Sequence, residues 1–140
     1  MRFGIGMTPQ TLIRPAAADG LTERFDPIAC LNERFRHSTA AEPLGPGRYI
    51  EIQGSERTLQ IPLGDEVIHI GRGLTADLHL DESSVSRRHA ILMPRPVGAR
   101  ILDDRSANGT FVNGRRVQQA DLQDGDVIVI GRVVLRYLEL

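Results

Sequence analysis

Three groups of residues in the second half of the chain have side chains suited to binding an anionic peptide. Arg72 follows a glycine, Ser86 begins a serine-arginine-arginine-histidine run, and Asn108 precedes another glycine. A guanidinium group presents a planar fork of N–H donors that fits the oxygens of a phosphate. A side-chain amide offers both a donor and an acceptor, which suits the main chain of a peptide. Each group alone also fits an ordinary turn or a surface arginine.

All three groups lie on loops between short segments with β character. Frequent turn signals separate these segments, and Asn113-Gly114 is a strong hairpin signal. This pattern predicts an all-β sandwich, with residues 126–138, the most apolar stretch, deep in the core. The predicted strands are Tyr49–Gln53, Arg57–Leu63, Val67–Ile70, Leu78–Leu80, Ala90–Met93, Ala99–Asp103, Thr110–Val112, Arg115–Val117, Val127–Ile130 and Val133–Leu138.

The first 47 residues have a different character. Residues 1–25 show no clear periodicity and predict a flexible tail. Asp26 followed by Pro27 is typical of a helix start, so a short helix is expected over residues 26–37. Such a helix has about ten residues and must dock to be stable; one face carries Ile28, Leu31 and Phe35. Residues 38–47 are rich in proline and glycine and predict a linker.

Composition excludes several classes of protein. The chain has 17 basic and 18 acidic residues and a net charge of −1, so a nucleic-acid binder with a global basic field is disfavoured. All basic residues other than histidine are arginine. The single Cys30 excludes an intramolecular disulfide and a cysteine-rich metal site. No segment resembles a signal peptide or a membrane span, so a cytoplasmic protein is expected.

The motifs, taken in order, resemble those of the forkhead-associated (FHA) domain, a phosphothreonine-binding module. The resemblance covers residues 48–140 and leaves the first 47 outside it. It implies an FHA-like β-sandwich of about eleven short strands, with the ligand held across loops at one end. The matching motifs are Gly71-Arg72, Ser86-Arg87-Arg88-His89, Ser106-Ala107-Asn108-Gly109-Thr110 and Val112-Asn113-Gly114.

The resemblance also implies a role for each matching residue. Arg72 and Ser86 would hold the phosphate, whereas Arg87 and Asn108 would hold the peptide. Four further residues would support the site without touching the ligand, among them a histidine beneath the loop that fixes the serine. These four are Gly71, His89, Gly109 and Thr110.

Position 107 departs from the family pattern. Many members carry serine or threonine immediately before the asparagine, and that hydroxyl adds a phosphate contact. Here the residue is Ala107, so one hydrogen bond to a charged group is missing, worth roughly 1.5–3 kcal/mol if nothing replaces it. Ser106 and Arg105 are the two neighbours that could compensate.

The sequence gives little support for an enzymatic function. Residues 71–76 fit the dinucleotide pattern G-x-G-x-x-A, but a strand-like segment follows where that pattern requires a helix. His69, His79 and His89 are evenly spaced, yet they fall on separate predicted elements and lack companion metal ligands. We therefore expect no catalytic residues, no cofactor and no metal, and we interpret the chain as a binding protein.

Two functional hypotheses follow. The first is a phosphothreonine-peptide-binding adaptor in Ser/Thr kinase signalling; the alternative is a phosphate-independent interaction module with the same fold, which Ala107 keeps open. The first includes possible self-regulation, since a phosphorylated threonine in the N-terminal segment could occupy the chain's own site. A flexible stretch of about 40 residues spans roughly 35 Å, which permits that contact. The candidate threonines are Thr8, Thr11, Thr22 and Thr39.

Overall fold

The computed structural model describes residues 26–31, 45–54 and 57–140. Within these ranges the chain forms eleven strands in two sheets. In chain order they are β1 (Arg48–Gln53), β2 (Thr58–Leu63), β3 (Ile68–Gly71), β4 (Leu78–His79), β5 (Ala90–Pro94), β6 (Ala99–Asp103), β7 (Thr110–Val112), β8 (Arg115–Val117), β9 (Gln119–Leu122), β10 (Val127–Ile130) and β11 (Val133–Glu139).

One sheet has six strands and the other has five. The six-stranded sheet has the order β8-β7-β10-β11-β1-β2 and is antiparallel throughout. The five-stranded sheet has the order β9-β6-β5-β3-β4, and its β3–β4 pair is parallel. The two sheets share a single hydrophobic core, which confirms the β-sandwich expected from the sequence.

Alternating apolar residues build that core, as expected for sheets with one buried face. Ile128, Ile130, Val133 and Leu135 are each 0% exposed, so one face of residues 126–138 lies in the centre of the core, as expected. The ten expected strands form with ends that differ from the prediction by at most a residue or two. β9 is an eleventh strand that the sequence did not predict, because Gln119–Leu122 combines two polar residues and an alanine with a single large apolar residue.

The segment Asp26–Leu31, here called the N-terminal anchor, packs on the sandwich. Asp26 caps a 3₁₀ turn over Pro27–Cys30 by accepting a hydrogen bond from the Ile28 N–H at 3.2 Å. Leu31 is then extended (φ −72°, ψ 153°) and forms a bridge with Leu80. The expected start of the helix is thus present, but a single 3₁₀ turn replaces the helix up to Leu31.

The turn ends where Leu31 pairs with the sandwich. The Asp81 N–H donates to the Cys30 carbonyl oxygen at 2.8 Å, next to the Leu31–Leu80 bridge. Ile28 and Leu31 are each 3% exposed and belong to the core of the sandwich. Residues 32–37 of the expected helix, the expected tail over 1–25 and residues 38–44 of the linker lie outside the described ranges.

No helix within the described ranges is long and apolar enough to cross a bilayer.

Candidate functional site

Three loops meet at one end of the sandwich. The loop after β3 forms two hydrogen bonds with the β4–β5 loop. The Arg72 N–H donates to the Ser86 carbonyl oxygen at 2.9 Å, and the Gly73 N–H donates to the Arg87 carbonyl oxygen at 3.0 Å. In the loop before β7, the Ala107 N–H donates a hydrogen bond to the Ser86 Oγ at 2.9 Å. These bonds bring the three sequence motifs into one site and make the β4–β5 loop its centre.

Gly71 allows the first two loops to come this close. A Cβ placed on Gly71 would overlap the carbonyl oxygen of Arg87 and lie 2.8 Å from its carbonyl carbon. Both are backbone atoms, so no side-chain rearrangement could relieve the overlap. A glycine is therefore required at the end of β3 if Arg72 is to lie beside Ser86.

Arg72 is half-buried and oriented by its neighbours. Its Nε donates to the Val85 carbonyl oxygen at 2.9 Å, which fixes one edge of the guanidinium group. The carbonyl oxygen of Arg72 accepts from the His79 Nε2 at 2.9 Å. The two terminal nitrogens of the guanidinium group remain suited to bind an anion bidentately.

Ser86 is held from both sides. Its N–H donates to the His89 Nδ1 at 3.0 Å, and its Oγ accepts from the Ala107 N–H at 2.9 Å. Because the oxygen already accepts a hydrogen bond, the hydroxyl hydrogen can be donated to a phosphate oxygen. His89 lies beneath the loop, is 0% exposed and donates from Nε2 to the Gly109 carbonyl oxygen at 2.8 Å.

These two bonds define the charge state of His89. Since the Nδ1 accepts from Ser86, the proton of the neutral ring sits on Nε2. Burial lowers the pKa of His89 below its usual 6.5, against the opposing effects of the Gly109 carbonyl and Asp103. His89 is thus a neutral connector between the Ser86 loop and the Asn108–Gly109 loop.

Asn108 is exposed and anchored to the β4–β5 loop. Its Nδ2 donates to the Ser84 carbonyl oxygen at 3.0 Å, which leaves a second N–H and the carbonyl oxygen of the amide for a peptide backbone. Gly109 follows with a φ of +91°, a left-handed conformation that favours glycine. The side chain of Arg116 lies against that glycine, since a Cβ there would be 2.7 Å from the Arg116 Nε.

Asp103 organises the loop before β7, a role that the sequence reasoning missed. Its carboxylate accepts from the Ser106 N–H at 3.2 Å, the Ser106 hydroxyl at 2.5 Å and the buried Thr110 hydroxyl at 2.8 Å. Burial raises the pKa of Asp103, but these hydrogen bonds outweigh it and hold the pKa below its usual 3.8. The available signal was a strand-end aspartate with a serine three residues later, a common turn arrangement.

Glu82 organises the β4–β5 loop in the same way and was also missed. Its carboxylate accepts from the Ser84 N–H at 2.9 Å and from the Ser84 hydroxyl. The Ser84 Oγ in turn accepts from the Arg132 N–H at 2.8 Å, which ties the loop to the β10–β11 turn. The Ser84 carbonyl oxygen that holds Asn108 is therefore itself fixed.

Two depressions flank Arg87 and Arg88 at the surface. One, of about 330 Å³, is lined by Ser86, Arg87, Arg88, Asp104 and Arg105. The other, of about 320 Å³, shares Arg87, Arg88 and Asp104 and extends to the β3–β4 loop. Arg87 is exposed and lines both. Arg88 is exposed and forms a two-point ion pair with Asp104, at 3.0 and 3.2 Å.

The geometry gives no support for dinucleotide or metal chemistry. After residues 71–76 the chain enters the strand β4, where the dinucleotide pattern requires a helix. Across residues 26–31, 45–54 and 57–140, no three histidine, cysteine or acidic side chains cluster as metal ligands. The site is instead a shallow, arginine-rich surface with one oriented hydroxyl and one oriented amide.

Comparison with known proteins identifies the family. Residues 68–131 match the family model "FHA domain". The glycogen accumulation regulator GarA of Mycolicibacterium smegmatis is 31% identical over 121 residues, which cover 86% of this chain and 77% of GarA. The ABC transporter ATP-binding/permease protein Rv1747 of Mycobacterium tuberculosis is 40% identical over 104 residues, which cover 74% of this chain but only 12% of Rv1747.

A solved structure matches the fold as well. The structure described as "Structural and functional analysis of phosphothreonine-dependent FHA domain interactions" aligns with a TM-score of 0.59 and 36% identity. The alignment covers 66% of this chain and 96% of that one. By sequence and by fold, the chain belongs to the FHA domain family.

Proposed function

We propose that this chain is a phosphothreonine-peptide-binding adaptor that acts in Ser/Thr kinase signalling in the cytoplasm. Arg72 and Ser86 bind the phosphate, and Arg87 and Asn108 bind the peptide around it. The observation that supports this proposal most directly is the orientation of Ser86 and Arg72. The Ser86 Oγ accepts a hydrogen bond from the Ala107 N–H, and the Arg72 Nε donates one to the Val85 carbonyl oxygen. The partners of this chain are proteins that carry phosphothreonine, as expected for substrates of Ser/Thr kinases.

A binding role agrees better with this site than catalysis does. His89, beneath the centre of the site, has both ring nitrogens engaged and a lowered pKa, so it is poorly placed to act as a general base. The comparison with phosphothreonine-dependent FHA interactions supports the ligand class. Since this chain spans only a small part of Rv1747, that transporter's activity is not carried over.

The first experiment is a titration with a degenerate phosphothreonine peptide library, with phosphoserine and unphosphorylated libraries in parallel. We expect binding selective for phosphothreonine. Arg72→Ala should weaken it by about 2–5 kcal/mol, because the phosphate loses its partner in a partly desolvated site. The matched control is Arg115→Ala, which removes one exposed positive charge near the Asn113-Gly114 turn, at the other end of β7 from Asn108.

Two results would contradict the proposal. Equal affinity of Arg72→Ala and the unmodified chain would remove Arg72 from the phosphate site. Equal binding of all three libraries, or binding to a cellular partner that survives phosphatase treatment, would favour the phosphate-independent module instead. Ala107 is the observation that keeps this second function open, because the hydroxyl common at that position in the family is missing.

Self-regulation is a further part of the proposal. The N-terminal anchor reaches the β4–β5 loop through the Cys30 carbonyl oxygen and the Asp81 N–H, five residues before Ser86. The candidate threonines themselves, Thr8, Thr11, Thr22 and Thr39, lie outside the described ranges.

The test of self-regulation is peptide mapping after treatment with a Ser/Thr kinase, combined with the library titration. A phosphate in the first 47 residues that lowers the affinity for added phosphothreonine peptide would support it. Phosphorylation confined to the sandwich, or N-terminal phosphorylation without any loss of affinity, would count against it.

A further inference from the structure

The phosphate site has a gap where the family usually has a hydroxyl. Ala107 contributes only its N–H, and that N–H donates to the Ser86 Oγ at 2.9 Å. Ser106 is next to the gap, but its hydroxyl donates to Asp103 at 2.5 Å and accepts from the Gly109 N–H at 2.9 Å. Both functions of that hydroxyl are in use, so Ser106 does not replace the missing phosphate donor.

Arg105 is the remaining candidate beside the gap. It is exposed, and it lines the same 330 Å³ depression as Ser86. Its φ of +59° is left-handed, a conformation that is strained for a residue with a Cβ. The loop therefore holds an arginine where glycine or asparagine would be less strained, and this arrangement projects a long cation at the site.

Arg88, which lines the same depression, differs from Arg105 in having a carboxylate partner. Arg88 is paired with Asp104 through two hydrogen bonds, which also offset the charge of the carboxylate that lines the depression. Arg105 has no ion pair with any carboxylate in the described parts of the chain. A phosphate bound at Ser86 would therefore meet an available guanidinium group from Arg105 but not from Arg88.

We propose that Arg105 is a phosphate ligand that takes the place of the hydroxyl missing at Ala107. The inference rests on the proposed phosphopeptide function. Arg72 then approaches the phosphate from the β3 side, Ser86 supplies the hydroxyl between, and Arg105 approaches from the β6–β7 loop. With Arg87 at the rim, this arrangement favours the doubly charged phosphate, which has a second pKa of about 6.

The test compares Arg105→Asn with the matched control Arg115→Asn in fluorescence anisotropy, using one pool of degenerate phosphothreonine peptides. Asparagine tolerates the left-handed conformation, so Arg105→Asn should unfold at no lower urea concentration than the unmodified chain. We expect its affinity for the pool to fall about tenfold, as for loss of a charge-assisted hydrogen bond. The control should lose less than twofold.

A second variant tests the replacement itself. Ala107→Ser restores the family's hydroxyl, and it should recover most of the lost affinity when added to Arg105→Asn. Added to the unmodified chain, it should have a smaller effect, because Arg105 already occupies that side of the phosphate. Equal effects of Ala107→Ser in the two backgrounds would overturn the idea that the two groups substitute for each other.

The outcomes separate this proposal from the function on which it rests. If the unmodified chain does not bind the pool, the phosphopeptide function itself fails. If it binds, and Arg72→Ala abolishes binding while Arg105→Asn behaves like Arg115→Asn, the function stands and the assignment of Arg105 is refuted.

Discussion

The substitution His89→Ala should remove the connection between two of the three loops. The imidazole accepts from the Ser86 N–H at 3.0 Å and donates to the Gly109 carbonyl oxygen at 2.8 Å. The residue is 0% exposed, and Gly109 is buried with it. Alanine makes neither hydrogen bond and leaves an unfilled space beneath the site.

The expected cost follows from those contacts. Each partner that is left unsatisfied costs about 1–3 kcal/mol, and the value for the half-buried Ser86 N–H is at the low end. The lost packing of a buried ring adds to this, as in other large-to-small substitutions. Because water can partly fill the space, we expect a total of about 3–5 kcal/mol. This is a large share of the roughly 5–15 kcal/mol that stabilises a typical domain.

Urea denaturation followed by circular dichroism measures the change. With a slope of about 1.5–2 kcal/mol per molar urea, the midpoint should fall by roughly 2 M. The control is His69→Ala, which truncates an exposed histidine on β3 and should shift the midpoint little. Phosphothreonine peptide binding by the folded fraction of His89→Ala should also weaken, because Ser86 loses the bond that holds its backbone.

A midpoint for His89→Ala within about 0.3 M of the His69→Ala midpoint would refute this reasoning. It would mean that the Ser86 N–H and the Gly109 carbonyl find other partners at no cost. Normal stability with weakened peptide binding would instead show that His89 positions the loop without stabilising the fold.

Two further predictions concern pH and the N-terminal anchor. Burial lowers the pKa of His89 below 6.5, so the unfolded chain binds a proton more readily than the folded chain does. The stabilising effect of neutral His89 is therefore complete above pH 6.5, and it is lost as the pH falls toward the folded-state pKa. The urea midpoint should therefore drop between pH 7 and pH 5, and a drop of the same size in His89→Ala would contradict this. Leu31→Ala should cost about 2–4 kcal/mol, because the leucine is 3% exposed in the core. A thermal melt measures it against the exposed Leu74→Ala, and equal melting temperatures would place the anchor outside the cooperative unit.

The fold was largely predictable because its strands carry local signals. Alternating apolar residues and glycine- or asparagine-rich turns marked ten of the eleven strands. The strand β9 was missed because its pairing with β6, rather than its own sequence, stabilises it. The helix expected after Asp26 had the correct start, but the bridge between Leu31 and Leu80 is a contact of distant residues that local patterns do not encode.

The sequence motifs point to the surface residues that the structure brings together, but not to the carboxylates that hold their loops. Arg72, Ser86 and Asn108 belong to short motifs, and the structure places them on three adjoining loops. Asp103 and Glu82 are not among the residues that the sequence motifs single out. Each in fact accepts several hydrogen bonds within its own loop, and such networks depend on burial that a sequence does not display.

The position of β11 has a consequence for the order in which the chain folds. β11 lies between β10 and β1, so residues 48–52 pair with residues 135–139. The six-stranded sheet therefore cannot close until residue 139 has left the ribosome, and closing so long a loop makes folding slow. The five-stranded sheet draws only on residues 68–122. During synthesis the five-stranded sheet is thus complete before the six-stranded sheet that covers its apolar face can close, and for that interval the apolar face is a surface for chaperones to protect.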